Sequence, residues 1–406
     1  MNAEIITIGD EILIGQTINT NAAWMGEQLN LIGVDVIQVT TIQDEKGRIM
    51  EALDQASARV DLVFLTGGLG PTRDDITKNT IAEYFETELE INQQVLRRVE
   101  EMFKQFGREM LDVNVQQAAL PKIATVIPNH KGTASGMWIE KNGKIYISMP
   151  GVPKEMKSMM ENTLFEKLKE HTDTKEIVKK TILTQGLGES FLAEKIKEWE
   201  NDLYQRGLAL AYLPSPGIVK LRITAKGVQG AQEIIDKKTK ELKELLPANV
   251  YGVEKETLEG VVGKLLKESK STIATAESCT GGYIAHLITS VEGSSSYFRG
   301  GILPYVNELK ESLLSVDNDT IENFTAISQQ VVEQMAIEVK KKLNSDYAIA
   351  TSGIAGPSGG TDETPVGTVW IALATPEKVF SKKFQFGNDR LLNIKRAALT
   401  GLNLLR

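Results

Sequence analysis

Cysteine and histidine are nearly absent: 406 residues hold one cysteine, Cys279, and three histidines, His130, His171 and His286. A lone thiol excludes an intrachain disulfide and a cysteine-held metal cluster, and it suits a reducing cytoplasm. Three histidines far apart in sequence argue against a histidine-rich zinc site. No run of about 18 apolar residues occurs, so no membrane span and no membrane partner are expected. The start, MNAEIITIGDEIL, has neither the basic region nor the long apolar stretch of a secretion signal. Positive charge is in deficit, with 46 lysines and arginines against 54 aspartates and glutamates, a net of −8. A grip on nucleic acid through bulk charge is therefore unexpected. Also missing are a GxxxxGK[ST] loop, which argues against a P-loop nucleotidase, and the acidic helix of a Nudix pyrophosphatase.

What is present is the balance of a soluble globular protein, 41% hydrophobic and 25% charged, at a length that calls for two or three domains. From residue 1 to about 170, strand-like runs alternate with helical patterns: Glu4–Ile8, a helix near Asn19–Leu31, Val34–Thr41, a helix Gly47–Ala58, then Val60–Leu65. That alternation predicts a mainly parallel, three-layer α/β sheet, with ligands at the carboxyl ends of its strands. Two polar loops fall there, Gly9-Asp10-Glu11 and Thr66-Gly67-Gly68-Leu69-Gly70-Pro71-Thr72-Arg73-Asp74-Asp75. Gly67, Gly68 and Gly70 let backbone approach a phosphate, while Thr66 and Thr72 add hydroxyls. Asp74 and Asp75, with Asp10 or Glu11 across the cleft, suit a hard divalent cation of unassigned identity. Either aspartate instead caps the helix starting near Ile76, but both cannot.

From 171 to 250, a polar run at His171 reads as a linker into an α+β segment. It has a strand Val178–Thr184, a helix with Leu192, Ile196 and Trp199 on one face, two strands around Pro214–Gly217, and a helix from about Gln229 to Leu245. Its lysines read as a solvated face.

From 251 to 406, a helix Leu258–Glu268 leads to Ser271–Thr275, a strand-like run, and then Thr275-Ala-Glu-Ser-Cys-Thr-Gly-Gly282 before another helical pattern. This order sets Ser278 on a strand-to-helix turn with amides free to meet an anion. Such a serine is a nucleophile wherever a base is near, and otherwise an N-cap. More polar loops follow: Gly293–Gly301, Pro304–Lys310, Ala348–Gly360, Thr364–Trp370 and Gly387–Arg390. Together they exceed what turns require, and they indicate a site for a phosphorylated polar molecule. Cys279 is a rival nucleophile, although a lone buried cysteine is more often a small core residue. His286 reads as packing.

The motifs carry a resemblance. GDEIL with Asn19-Thr20-Asn21, TGGLGPTRDD, Asn129 with Gly132-Thr133-Ala134-Ser135-Gly136, and Pro150-Gly-Val-Pro-Lys-Glu-Met156 resemble the molybdopterin-binding-like domain of the CinA competence/damage-inducible family. TAESCTGG, GSSSYFRGG, PYVNELK, SGIAGPSGG, TPVGTVW and GNDR are similar, in order, to that family's C-terminal domain. The segment between resembles its KH-like domain; no GxxG clamp is expected there, so it is taken as a spacer or dimerisation module rather than a nucleic-acid binder.

The resemblance implies a three-layer α/β molybdopterin-binding-like domain over 1–170, a small α+β KH-like domain over 171–250, and a three-layer α/β amidase domain over 251–406. It further implies a bifunctional hydrolase of pyridine-nucleotide salvage, expected to be a homodimer. The N-terminal domain would cleave ADP-ribose to AMP and ribose 5-phosphate with a divalent metal ion held by Asp10, Asp74 and Asp75. The C-terminal domain would deamidate nicotinamide mononucleotide without a cofactor. In that domain Ser278 is the expected nucleophile, Lys310 its base and Tyr305 a proton relay. Ser295, Ser352, Gly353, Arg390, Thr280 and Gly281 are the expected substrate contacts, with Thr66, Gly67, Gly68, Gly70 and Thr72 serving the N-terminal site. Lys154 and Glu155 are either phosphate and metal contacts or the first turn of a solvated helix. Two departures stand out: the family usually has serine where Val306 stands and lysine where Thr364 stands. The alternative is a non-catalytic nucleotide- or pterin-binding protein linked to competence or DNA repair.

Overall fold

A computed structural model describes residues 1–72, 75–107, 109–171 and 177–406. The chain forms two compact units, Met1–Ile177 and Val178–Arg406.

In the first unit β1 (Asn2–Ile8), β2 (Asp35–Ile42) and β3 (Leu62–Thr66) are parallel, with β1 in the middle. A two-stranded ribbon, β4 (Leu89–Ile91) with β5 (Ala119–Pro121), stands apart. The main sheet is completed by β6 (Thr125–Ile127), β7 (Gly136–Lys141) and β8 (Lys144–Met149), in the order β2-β1-β3-β8-β7-β6. β8 runs parallel to β3, while β7 is antiparallel to both its neighbours. Strands such as β3, buried at every position, read as continuous apolar runs because helices cover both faces. One face packs Ile6, Val63 and Leu65 under the helix Lys46–Arg59. The other packs Ile5, Leu62 and Phe64 under Thr20–Leu31 and Pro153–Met159. Inside this sheet Glu4 is wholly buried, its carboxylate accepting from Arg59 Nε and Nη2 at 2.9–3.1 Å and from Thr40 Oγ1 at 2.6 Å.

The second unit holds two sheets. β9 (Ile177–Gln185), β10 (Leu208–Ser215), β11 (Ile218–Lys226) and β12 (Val250–Val253) are ordered β10-β11-β9-β12. The helices Glu189–Gln205 and Ala231–Leu245 bury Leu192, Ile196, Ile235 and Leu242 against this sheet. The expectation of a wholly solvated lysine face is corrected at Lys238, which is 6% exposed and paired with Asp202 and Glu241. A second correction concerns the glycines. Gly227-Val228-Gln229-Gly230 does have GxxG spacing; it turns β11 into the helix Ala231–Leu245, with φ of 66° and 69° at its two glycines.

The remaining sheet contains β13 (Ile273–Glu277), β14 (Phe298–Ile302), β15 (Tyr347–Gly353), β16 (Thr368–Ala374) and β17 (Val379–Gln385), in the order β14-β13-β15-β16-β17. β14, β13 and β15 are parallel, whereas β16 and β17 are added antiparallel. Ile273, Ile349 and Ile371 face the helices Leu258–Glu268, Tyr283–Thr289 and Arg390–Leu405. Ala274, Ala276 and Ala350 face Gln329–Lys342, and small residues there let that helix lie close to the sheet. The two parts of this unit are tied by hydrogen bonds from Arg406 Nη1 to the Val250 carbonyl (3.1 Å) and from Asn403 Nδ2 to that of Ala248 (3.0 Å). A boundary at residue 250 therefore separates two sheets but not two compact bodies. Among the described residues no helix is long and apolar enough to cross a membrane.

Candidate active site

β13 runs two residues beyond Thr275, to Glu277, and Ser278 begins the turn that follows it. Strand alternation sends Glu277 to one face and Ser278 to the other. Glu277 is 1% exposed, and its carboxylate is fully engaged. Oε2 accepts from Thr280 Oγ1 (2.8 Å), Gly282 N (3.1 Å) and Ile284 N (2.9 Å), and Oε1 accepts from Ala285 N (2.8 Å). Sequence reading passed over Glu277, because a glutamate between strand and turn looks like a solvated loop residue. It also expected the amides after the turn to be open to an anion; those of Gly282, Ile284 and Ala285 are instead closed by this carboxylate.

Lys310 lies in the first turn of the helix Asn307–Leu314, which follows β14. It is 2% exposed, and its Nζ is 3.5 Å from Ser278 Oγ and 3.1 Å from the Pro304 carbonyl. Burial pulls the ammonium below the ordinary lysine range, against smaller opposing effects of Cys279 and Glu308. The positive end of its own helix acts in the same direction as burial. Cys279, 7% exposed, has its thiol pushed up to about 12 by burial, so it stays protonated at neutral pH and does not compete as a nucleophile.

The other expected residues divide by position. Arg390 opens the last helix, donating from Nη1 to the Gly356 carbonyl (2.9 Å) and from Nη2 to Tyr305 Oη (2.9 Å). Tyr305 is thus placed on Arg390, with no hydrogen bond to Ser278 or Lys310 among the described residues. Ser352 is 1% exposed and donates to the Ala326 carbonyl (2.6 Å), holding a neighbouring loop. Gly353 has no room for a side chain, since a Cβ would sit 2.5 Å from the Thr368 carbonyl oxygen. Thr280 is spent beneath the turn: its proton goes to Glu277, and it shares a 2.7 Å hydrogen bond with Thr351. Gly281, at φ 59°, forms the open side of the turn.

Ser295 is a correction. β13 and β14 are parallel with Ile273 opposite Phe298, so Ser295, which precedes β14, lies at the amino edge of the sheet. Ser278 lies at the carboxyl edge, and the five residues of β13 at about 3.3 Å each leave about 15 Å of strand between the two levels. Of the two departures, Val306 is the N-cap of the helix carrying Lys310 and supplies no side-chain cap. Thr364 accepts, through its carbonyl, from the Thr361 amide and lies in the loop before β16.

Missing from the sequence reading was also Asn393. At 1% exposure it donates to the Ala355 and Gly387 carbonyls (2.9 and 2.7 Å) and accepts from Gly387 N (3.1 Å). It thereby ties the loop at Ala355, which Arg390 also meets at Gly356, to the Gly387 turn that leads into the last helix.

In the N-terminal unit the expected loops do gather at the carboxyl edge. Gly67 and Gly68 have φ of 119° and 64°, and a Cβ on Gly67 would strike the Ile8 carbonyl. Thr66 is 1% exposed and donates to the Pro150 carbonyl (3.2 Å). Gly70 packs against Asp75, whose Oδ2 accepts from the Thr72 amide (2.9 Å) and hydroxyl. Asp75 therefore closes its own loop. Asp10 is exposed at the start of the helix Asp10–Leu13, and Asp74 lies outside the described residues. Among the described residues no three histidine, cysteine, aspartate or glutamate side chains converge to hold a metal ion. Of the expected trio only Asp10 and Asp75 are among the described residues, and no chemistry is assigned to a cation here. Lys154 is exposed, whereas Glu155 accepts from Asn129 Nδ2 (2.7 Å) and so has a structural partner.

A serine turn and a buried lysine at the carboxyl edge of a mostly parallel sheet, in a chain with two further α/β parts, define a multidomain α/β protein with an enzyme-like site. Family models match in the same order: a probable molybdopterin binding domain over residues 4–170, a damage-inducible protein CinA KH domain over 179–252, and a CinA C-terminal domain over 255–406. The chain is 46% identical over 406 residues to a CinA-like protein of Cytophaga hutchinsonii, covering 100% of this chain and 97% of the relative. It is 47% identical over 409 residues to a CinA-like protein of Flavobacterium psychrophilum, covering 100% and 98%. A crystal structure of CinA from Thermoplasma acidophilum, 36% identical, covers 41% of this chain and 96% of its own at a TM-score of 0.38. The chain belongs to the CinA family.

Proposed function

We propose that the C-terminal domain hydrolyses the carboxamide of nicotinamide mononucleotide, giving nicotinate mononucleotide and ammonia. The observation that carries this reading is the 3.5 Å approach of Lys310 Nζ to Ser278 Oγ with both side chains buried. A lysine anchored on the Pro304 carbonyl and stripped of water serves as a base in its neutral form. Lys310 takes the Ser278 proton as Oγ bonds to the amide carbon and the carbonyl electron pair moves onto oxygen. When that pair returns, the C–N bond breaks and Lys310 gives its proton to the departing nitrogen, which leaves as ammonia. Water then attacks the acyl ester, passing a proton through Lys310 back to Ser278 and releasing the acid. Arg390 uses two of its five N–H donors on Gly356 and Tyr305, and the others suit the substrate phosphate.

Incubation of the full chain with nicotinamide mononucleotide should release ammonia with or without chelator, and Ser278→Ala should abolish it. Absence of ammonia from the intact protein would reject this reading and leave binding without turnover as the better account.

We infer for the N-terminal unit a nucleotide pyrophosphate site, with ADP-ribose as its substrate. Support comes from the Gly70–Thr72 end of the glycine loop, which borders a cavity of about 200 Å³ together with Asp75, Lys78 and Asn79. Burial brings Lys78 down to about 8, which keeps it largely cationic at neutral pH. AMP formed from ADP-ribose by the Ser278→Ala variant would support the assignment, and its absence with and without added divalent metal would reject it.

A further inference from the structure

The amides around Ser278 can be followed one by one. Ser278 N donates to the Thr351 carbonyl (3.0 Å), Gly281 N to that of Ser278 (3.1 Å) and Tyr283 N to that of Thr280 (3.0 Å). Gly282, Ile284 and Ala285 donate to the Glu277 carboxylate. Only Cys279 and Thr280 remain, and among the described residues neither amide donates to another residue, that of Cys279 meeting only its own thiol. They follow the nucleophile directly, on its own turn.

We infer that Glu277 is a positioning residue that builds an oxyanion site from the amides of Cys279 and Thr280. The inference rests on the Ser278–Lys310 reading given above. A buried carboxylate without partners would be very costly. Here charge-assisted hydrogen bonds from one hydroxyl and three amides offset that cost. The same bonds satisfy the first-turn amides of Tyr283–Thr289 and its positive end, so that end is closed to an incoming anion. Gly281 and Gly282 stand at φ of 59° and 92°, a stretch with little conformational preference of its own. Glu277 supplies the missing constraint. It locks Gly282 from below and, through Thr280 Oγ1, also holds the residue carrying one of the two open amides. Thr351 extends the brace to β15. Developing charge on a carbonyl oxygen attached to Ser278 Oγ would then meet donors already in place.

The test is Glu277→Gln in the full chain. It keeps the shape but turns one carboxylate arm into an NH2 group facing backbone donors. The kcat for ammonia release is expected to fall about 100-fold or more, the size associated with losing an oxyanion donor. KM should change little, and the pH limb set by Lys310 should stay where it is. Circular dichroism of the same samples establishes that the loss is not one of folded protein. Thr280→Val should act in the same direction, and Thr280→Ser, which restores the hydroxyl, should recover activity.

A second readout does not depend on the substrate. A fluorophosphonate reagent bonds phosphorus to Ser278 Oγ with loss of fluoride, and intact mass follows the adduct. Labelling should slow in Glu277→Gln by a factor similar to that in kcat. Wild-type kcat and labelling rates in Glu277→Gln, or an effect on KM alone, would overturn the inference. If the native chain labels at Ser278 but releases no ammonia, the substrate assignment fails while slowed labelling in Glu277→Gln still supports this one. A native chain that does not label at all overturns it.

Discussion

Lys310→Met is expected to lower ammonia release by on the order of 10³-fold, the upper part of what a positioned general base contributes. The wild-type rate should climb with pH through the lysine titration and level off above it, because only the neutral amine accepts the Ser278 proton. Any residual rate in Lys310→Met should lack that limb. The same variant should be more stable than the native chain at neutral pH. Burial sets the folded-state lysine below its unfolded value, so between the two the unfolded chain binds more protons and stability rises with pH. Below the folded-state value the penalty for burying the ammonium is present in full, and it disappears as pH approaches the unfolded lysine value of about 10.4. Methionine removes it, and a rise in Tm of a few degrees is expected, roughly what 1–2 kcal/mol gives in a unit of this size. Calorimetry across pH beside the ammonia assay checks both halves. A variant that is inactive and less stable would mean that the lysine is structural.

Asn393→Leu should be costly for the opposite reason. Two carbonyls and one amide lose the side chain that satisfies them, at about 1 kcal/mol or more each. A loss of about 3 kcal/mol, or roughly 6–12 °C in Tm, is expected. Because these loops hold Arg390 against Gly356, KM should rise more than kcat falls. Unchanged KM in a destabilised variant would show that Arg390 keeps its place without them.

Strand-to-helix alternation, the serine on its turn and the lysine in PYVNELK were legible in the sequence, because they depend on local pattern and on motif. Glu277 was not. Its charge reads as exposed, and only the return of the helix Tyr283–Thr289 over the strand end supplies the amides that allow burial. Asn393 was hidden likewise, since its partners lie 38 residues away at Ala355 as well as nearby at Gly387. Ser295 shows the converse error: a motif loop rich in serine belongs to the other edge of the sheet, and parallel pairing of β13 with β14 decides that. Asp75 had two readings in sequence, and its hydrogen bonds to Thr72 give it a partner within its own loop.

By itself, then, the sequence determined the kinds of layer, the order of the three parts and the chemical types available at each loop. Periodicity and turn chemistry are local properties, and residues a few positions apart express them. Tertiary structure alone decided which loops share an edge, which polar groups are already satisfied, and that Lys310 is dry. Each of these depends on which distant chain segments exclude water from the same small volume. Removing that water is what weakens the hold of Lys310 on its proton beside Ser278.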